Sequence, residues 1–106
     1  MAKYMFAANY TAEGVKGLVR DGGTGRKAAV EKALVGLGGR LEAMYFAFGD
    51  TDAYVIADLP DNASAAAVAL AVAKSGMAAT KTIVLMTAEE TDAATKKAVA
   101  YKAPGS

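Results

Sequence analysis

The chain has 106 residues, with 12 Lys and Arg against 11 Asp and Glu, and it contains no Cys, His or Trp. A chain of this length is expected to form a single domain, residues 1–106, with a modest core that needs no disulfide or metal. Without Cys or His there is no thiol nucleophile, Ser-His-Asp relay or Cys/His zinc site. We therefore expect no metal and no cofactor, and any acid or base must be Asp, Glu, Lys or Tyr.

The net charge of +1 excludes two classes of partner. Such a chain has no long-range field to attract phosphate backbones or anionic lipid, so we expect neither nucleic acid nor a membrane as partner. The longest apolar run, residues 65–73, is about half the ~20 residues that a membrane helix needs. No secretory signal is visible at the N-terminus, which predicts a cytoplasmic protein.

The first half of the chain predicts a strand followed by two helical segments. Residues 4–10 are aromatic and apolar, which favours a buried strand. Thr11 is a good N-cap for a short helix, and the glycine-rich stretch 21–25 is expected to break that helix. Thr24 is predicted to cap a second segment, which ends at Gly38 and Gly39.

The second half predicts a hairpin, a helix, a strand and a last helix. Strands over 41–48 and 52–59 are joined by the turn residues 49–52. Asp61 is expected to cap a helix that ends at Gly76, and residues 78–87 form a fourth strand. Thr87 and Glu90 have the spacing of a capping box, which predicts a helix over about 88–101 followed by a tail over 102–106.

This order, βαββαβ with a C-terminal helix, predicts an α+β ferredoxin-like fold with a four-stranded antiparallel sheet and two helices on one face. The strands are apolar on both sides; in the third strand, for example, Val55 and Ala57 alternate with Tyr54 and Ile56. Two crossover helices cover only one face, and an uncovered apolar face usually marks an interface. We therefore predict a homodimer, or a higher homo-oligomer, through the sheet face. The Ala-rich C-terminal helix serves as a secondary clasp, and Phe46→Asp is expected to abolish the dimer.

In the second strand, alternation places Leu41, Ala43 and Tyr45 on one side and Met44 and Phe46 on the other. Because both sides are apolar, a register error of one residue would exchange pocket residues for interface residues.

Several short segments together resemble the GYD-domain family over residues 4–90. They are Asn9-Tyr10-Thr11 followed by Gly14, then Gly38-Gly39-Arg40, Gly49-Asp50-Thr51-Asp52, Pro60-Asp61 and Thr80-Lys81-Thr82. The resemblance implies a small bacterial or archaeal protein of the dimeric α/β-barrel type, in which two sheets pack across a twofold axis. It implies no established reaction. This chain has Thr51 where the family signature carries Tyr, whereas Asp52 is retained.

Six polar residues are the candidates for binding a small molecule: Asn9, Tyr45, Asp52, Tyr54, Thr80 and Thr82. Tyrosine hydroxyls in an apolar pocket suit a small aromatic or lactone-like ligand. One hypothesis is a small-molecule-binding or assembly module. The alternative is a cofactor-independent enzyme, a monooxygenase or isomerase like those similar in fold, and no catalytic residue is identified for it.

Other groups have two readings each. The stretch from Gly22 to Ala28 could cradle a phosphate, but it does not follow a strand and is better explained as a loop. Asp50 and Asp52 could ligate a hard cation, but hydrogen bonds to the turn backbone are a sufficient reason for them and are the preferred explanation. Asp58 lies within a strand and needs Arg40, Lys81 or a base from a partner. RNA recognition by the third strand is disfavoured because acidic residues flank its aromatic side chain.

Overall fold

A computed structural model describes all 106 residues and has the predicted α+β ferredoxin-like fold with a C-terminal helix. The four strands form one antiparallel sheet in the order β2-β3-β1-β4, so β2 and β4 are the edges. The elements are β1 (Ala2–Tyr10), α1 (Ala12–Gly36), β2 (Arg40–Phe46), β3 (Ala53–Leu59), α2 (Asn62–Ser75), β4 (Ala78–Leu85) and α3 (Ala88–Thr95).

The core lies between α1, α2 and one side of the sheet, which we call the helix side. Tyr4 and Phe6 of β1 are almost fully buried there beside alternate residues of β3, and Leu34 of α1 and Ala65 of α2 pack onto them. The hydroxyl of Tyr4 donates a hydrogen bond of 2.6 Å to Oδ1 of Asn62 at the start of α2. This bond fixes α2 to the central strand without leaving the phenol unpaired.

The opposite side of the sheet has no helix over it, and we call it the open face. Side chains alternate between the two sides of each strand, and the strand pairing places the residues that do not face the helices on the open face. Its apolar members are Met5, Ala7, Ala43, Tyr45, Tyr54, Ile56, Ala79, Ile83 and Leu85, and Lys81 of β4 lies among them opposite Ala7.

A β-bulge corrects the predicted faces of β2. The register shifts between Leu41 and Ala43, so Leu41 pairs with Ala57 on the helix side while Ala43 pairs with Ile56 on the open face. Phe46 pairs with Ala53, which also lies on the helix side. A Cβ on Gly23 of α1 would lie 3.2 Å from the Phe46 ring, so this ring lies beside α1. Phe46 therefore lies on the helix side and not on the open face, so Phe46→Asp does not test a dimer formed through the open face.

Helix α1 is interrupted by a kink at Gly22, within the glycine-rich stretch where the break was predicted. Thr11 caps it as predicted, because its hydroxyl accepts a 3.1 Å hydrogen bond from the amide of Gly14. Gly22 has φ of 75°, a backbone conformation that favours glycine, and the helix resumes directly after it. Thr24 consequently lies inside the second half of α1 and not before it, which corrects its predicted capping role. The glycine-rich stretch is a helix kink and not a loop.

The remaining caps follow the sequence. Asp61 caps α2 through the amide of Ser64, and Gly76 ends α2 with φ of 72°. Thr87 and Glu90 form the predicted capping box of α3. This helix ends at Thr95, earlier than the predicted residue 101, and no residue from Met86 to Ser106 is buried. Because no side chain of this helix is buried, no tertiary packing stabilises further helical turns beyond Thr95.

The molecule is extended for its length. Its radius of gyration is 16.7 Å and its longest dimension is 55 Å, whereas a compact domain of this length has a radius of about 13 Å. Only 11 of 106 residues are buried. None of the three helices combines the length and the apolar character required to cross a membrane.

Candidate functional site

A cavity of about 350 Å³ lies between the helices and the helix side of the sheet. Helix α1 packs mainly on the edge strand β2 and α2 mainly on the edge strand β4, while the two helices barely contact each other. The gap between them lies over the central strands, where Phe6 of β1 and Val55 of β3 form the floor. A volume of this size falls in the range of small-molecule sites.

Alanines keep this cavity from being filled. Ala29 and Ala33 of α1 line it from one side, and Ala67 and Ala71 of α2 line it from the other. Packed cores normally interdigitate larger side chains with few voids bigger than a water molecule, so four alanines facing a gap leave real space. Of its 18 lining residues, 16 are hydrophobic. The interior is therefore suited to an apolar molecule.

A second hollow of about 410 Å³ adjoins the cavity and is more polar. The two share five wall residues: Tyr10, Arg26, Ala71, Val72 and Ala78. The second hollow extends along the first half of α1, where Arg20 and Asp21 lie. Together they form one cleft. Its inner part is apolar, its outer end is polar, and the two parts meet near the kink of α1.

Arg26 stands where the two parts meet. Its guanidinium Nη1 lies 3.6 Å from Oδ2 of Asp21, close enough for an ion pair but too long for a hydrogen bond. Its side chain is 37% exposed, and none of its nitrogens donates a hydrogen bond to the protein. The five guanidinium donors are thus free to bind another acceptor.

A charged cluster closes one end of the open face. Lys3 donates hydrogen bonds of 2.5 Å to Glu42 and 2.9 Å to Asp58, and Nε of Arg40 donates one of 2.9 Å to the other oxygen of Asp58. Asp58 is only 7% exposed. The Lys3 hydrogen bond lowers the pKa of Asp58, burial opposes this shift, and Arg40 adds to it. Arg40 is one of the partners predicted for Asp58, whereas Lys3 was not predicted.

The six candidate residues do not converge on one place. Thr80 lies in the cavity wall. Thr82 is on the same side of β4, opposite Phe6, but it is exposed and outside that wall. Tyr45 and Tyr54 are paired with each other on the open face, away from the cavity. The tyrosine hydroxyls and the cavity are therefore on opposite sides of the sheet.

Asn9 and Asp52 hold the β2–β3 turn against the end of β1. Oδ1 of Asn9 accepts a 3.1 Å hydrogen bond from the amide of Asp52, and Oδ2 of Asp52 accepts one of 2.9 Å from the amide of Tyr10. The Asp52 amide also donates to the carbonyl of Ala8 at 2.9 Å. One oxygen of each side chain therefore accepts a hydrogen bond from a backbone amide, and no third carboxylate joins Asp50 and Asp52.

Sequence reasoning missed the cavity walls and Arg26. In the sequence, Arg26 is distinguished only as part of the glycine-rich stretch from Gly22 to Ala28, and no binding role was predicted for the alanines of the cavity walls. A signal was available, because alanines recur at positions 29 and 33 of α1 and at positions 67 and 71 of α2, each pair one helical turn apart. These alanines leave a cavity only because α1 and α2 lie apart, and the distance between two helices cannot be predicted from the spacing of alanines in the sequence.

The sheet order and the two helices on one side define an α+β protein of ferredoxin-like fold. A family model described as the GYD domain matches residues 4–95. The chain therefore belongs to the GYD-domain family. No curated protein and no solved structure matches it.

Proposed function

We propose that this protein is a homo-oligomeric small-molecule-binding module, in which two subunits pack their open faces together and each retains a cavity under its helices. The observation that carries the proposal is the open face itself. It joins four strands in one largely apolar surface, with Lys81 on the edge strand β4, and no helix of the subunit covers it. We further propose a bacterial, cytoplasmic setting.

The composition of the open face supports a second copy as its cover. Met5, Ala7 and Ile56 lie on the central strands, while the charged residues around Asp58 stand at one end. An apolar centre beside a polar, internally paired edge is the arrangement of a protein interface. Aromatic residues, which are enriched at such interfaces, are present as Tyr45 and Tyr54.

The extended shape of the subunit agrees with this proposal. The C-terminal segment, residues 86–106, has no buried residue. Two of its large apolar side chains, Val99 and Tyr101, are 78% and 74% exposed. The proposed role of this segment is to clasp the second subunit. The clasp would bury these two side chains and add contacts beyond those of the sheets.

Substitution on the open face tests the assembly. Ile56→Asp places a charge in the centre of the proposed interface and is expected to weaken the dimer more than about thirtyfold, equivalent to ~2 kcal/mol. Val19→Asp is the matched control, because Val19 is an 80% exposed residue of α1 outside the open face. Light scattering after size exclusion measures both. Equal masses for the two variants and the wild type would contradict the proposal.

A cofactor-independent monooxygenase or isomerase remains the second candidate, but the cavity favours binding over reaction. No carboxylate or lysine lines the apolar cavity, and the two candidate tyrosines are elsewhere. A binding module tolerates Tyr45→Phe and Tyr54→Phe, each of which removes one hydroxyl. If the wild type turned over a small aromatic or lactone-like substrate and either variant did not, the protein would be an enzyme and not a binding module.

A further inference from the structure

We propose that the cleft under the helices binds a small amphiphilic monocarboxylate, with its apolar body in the cavity and its carboxylate at Arg26. This inference deepens the binding half of the proposed function and is independent of how the subunits assemble. It rests on three features: an apolar interior, a cationic outer end, and an arginine at the junction with unused donors.

The inner part selects for an apolar body. Its floor and walls include Phe6, Val55, Leu34 and alanines of both helices, and only Thr80 and Arg26 of its 18 lining residues are not hydrophobic. A hydrophilic molecule would lose its hydration there without recovering hydrogen bonds. An alkyl chain or a simple ring instead removes apolar surface from water on both sides of the contact.

The outer end selects for a single negative charge. Arg20, Asp21 and Arg26 are the charged residues of the second hollow, so its formal charge is two positive against one negative. An unoccupied guanidinium fork matches the two oxygens of a carboxylate in a planar, bidentate geometry. Asp21 lies within 3.6 Å of Arg26, which disfavours a dianion such as a phosphate monoester at the same place.

The kink of α1 sets these groups at the mouth. Gly22 lies between Arg20 and Asp21 on one side and Arg26 on the other, and its φ of 75° interrupts the helix there. Because the second half of α1 runs on toward β2 while the first half borders the second hollow, the kink leaves Arg26 in both walls. A ligand lying along the cleft would contact apolar groups with its body and the guanidinium with its outer end.

Decanoate is the probe for this proposal, and isothermal titration calorimetry on the full-length protein is the measurement. Decanol, which has the same chain without the charge, is expected to bind about ten- to a hundredfold more weakly, because it lacks a charge-assisted pair with Arg26. Butyrate, which keeps the charge without the apolar body, is expected to bind more weakly still.

Two pairs of variants separate the two halves of the cleft. Arg26→Gln is expected to weaken decanoate about ten- to a hundredfold while leaving decanol unchanged. Lys27→Gln, the neighbouring exposed position outside both walls, is expected to have no effect. Ala71→Leu fills the cleft and is expected to abolish binding of both probes, whereas Ala66→Leu, exposed on the same helix but outside the walls, is not.

The outcomes distinguish this inference from the proposed function. If decanol binds as tightly as decanoate and Arg26→Gln changes neither, the cavity is a site for neutral apolar molecules and the carboxylate proposal is overturned. If inorganic phosphate binds at Arg26 more tightly than decanoate, it is overturned in favour of a phosphate site. If no probe binds to wild-type protein whose fold is verified by circular dichroism, the binding function itself fails.

Discussion

Asp58 is a buried carboxylate on a sheet face, and Lys3 and Arg40 make its burial possible by pairing with both of its oxygens. Asn keeps one acceptor oxygen but replaces the other by an NH2 group, so one of the two cations loses its acceptor and both lose the negative charge. Asp58→Asn is therefore expected to lower the free energy of unfolding by about 1–3 kcal/mol in urea denaturation. Asp50→Asn, an exposed turn residue without a side-chain hydrogen bond, serves as the control and should stay within about 0.5 kcal/mol.

The same carboxylate predicts an acid-sensitive stability. Its pKa is lowered in the folded protein, chiefly by the hydrogen bond from Lys3, so the unfolded chain binds the proton more readily. The contribution of Asp58 is present above the ordinary aspartate pKa of about 3.9 and is lost as the pH falls through the lower folded value. Wild-type stability should therefore drop below about pH 4 more steeply than that of Asp58→Asn. Parallel pH profiles would contradict this.

Two glycines of α1 make a matched pair. A Cβ on Gly14 would overlap the carbonyl oxygen of Met77, whereas one on Gly17 would have no atom within 4 Å. Gly14→Ala is expected to destabilise the protein by about 1–3 kcal/mol, because α1 must move away from the α2–β4 turn. Gly17→Ala is expected to be neutral or to stabilise by up to about 1 kcal/mol. Thermal denaturation compares them, and equal melting temperatures would refute the close approach.

At this scale the sequence predicted some roles and not others. That Asp58 needs a base follows from its place in an apolar strand, and Arg40 was among the predicted partners. The contacts of Asn9 and Asp52 could not be predicted, because they join residues 43 positions apart in the chain. A polar side chain near a turn looks the same in sequence whether it serves a ligand or the backbone.

Among the elements, caps and glycines were the predictable parts. Thr11, Asp61, Gly76 and the Thr87–Glu90 box occupy the predicted positions because their hydrogen bonds are local in sequence. The bulge at Leu41 and Ala43 was not predictable, since both sides of β2 are apolar and alternation alone gives no sign of an extra residue. This single insertion changed the side assigned to Leu41. The placement of Phe46 likewise needed the pairing with β3.

Helix α3 gives a prediction at the scale of an element. It has eight residues and a complete capping box but no buried side chain, so it is marginal in an isolated subunit. If the C-terminal segment clasps a second subunit, hydrogen exchange at residues 88–95 should be slow in the dimer and fast in Ile56→Asp. Exchange in β1 should be comparable in both proteins. Equally fast exchange of α3 in the wild type and in Ile56→Asp would show that the C-terminal segment does not clasp a second subunit.

For the whole molecule, the sequence predicted the fold because the element order is simple and each boundary carries turn or cap chemistry. It also predicted that apolar residues would lie on both sides of the sheet. It could not predict the cavity, because the spacing between α1 and α2 depends on which strand each helix covers. Alanines at 29, 33, 67 and 71 line a cavity only when the helices lie over opposite edges.

Association of two subunits through the open face is the claim on which the account depends, and sedimentation equilibrium of the wild-type chain at micromolar concentration tests it most directly. We expect a particle of twice the 10.8 kDa chain mass, or a larger even multiple, that shifts to the chain mass in Ile56→Asp. A wild-type particle of 10.8 kDa that stays monodisperse across the concentration range would contradict it.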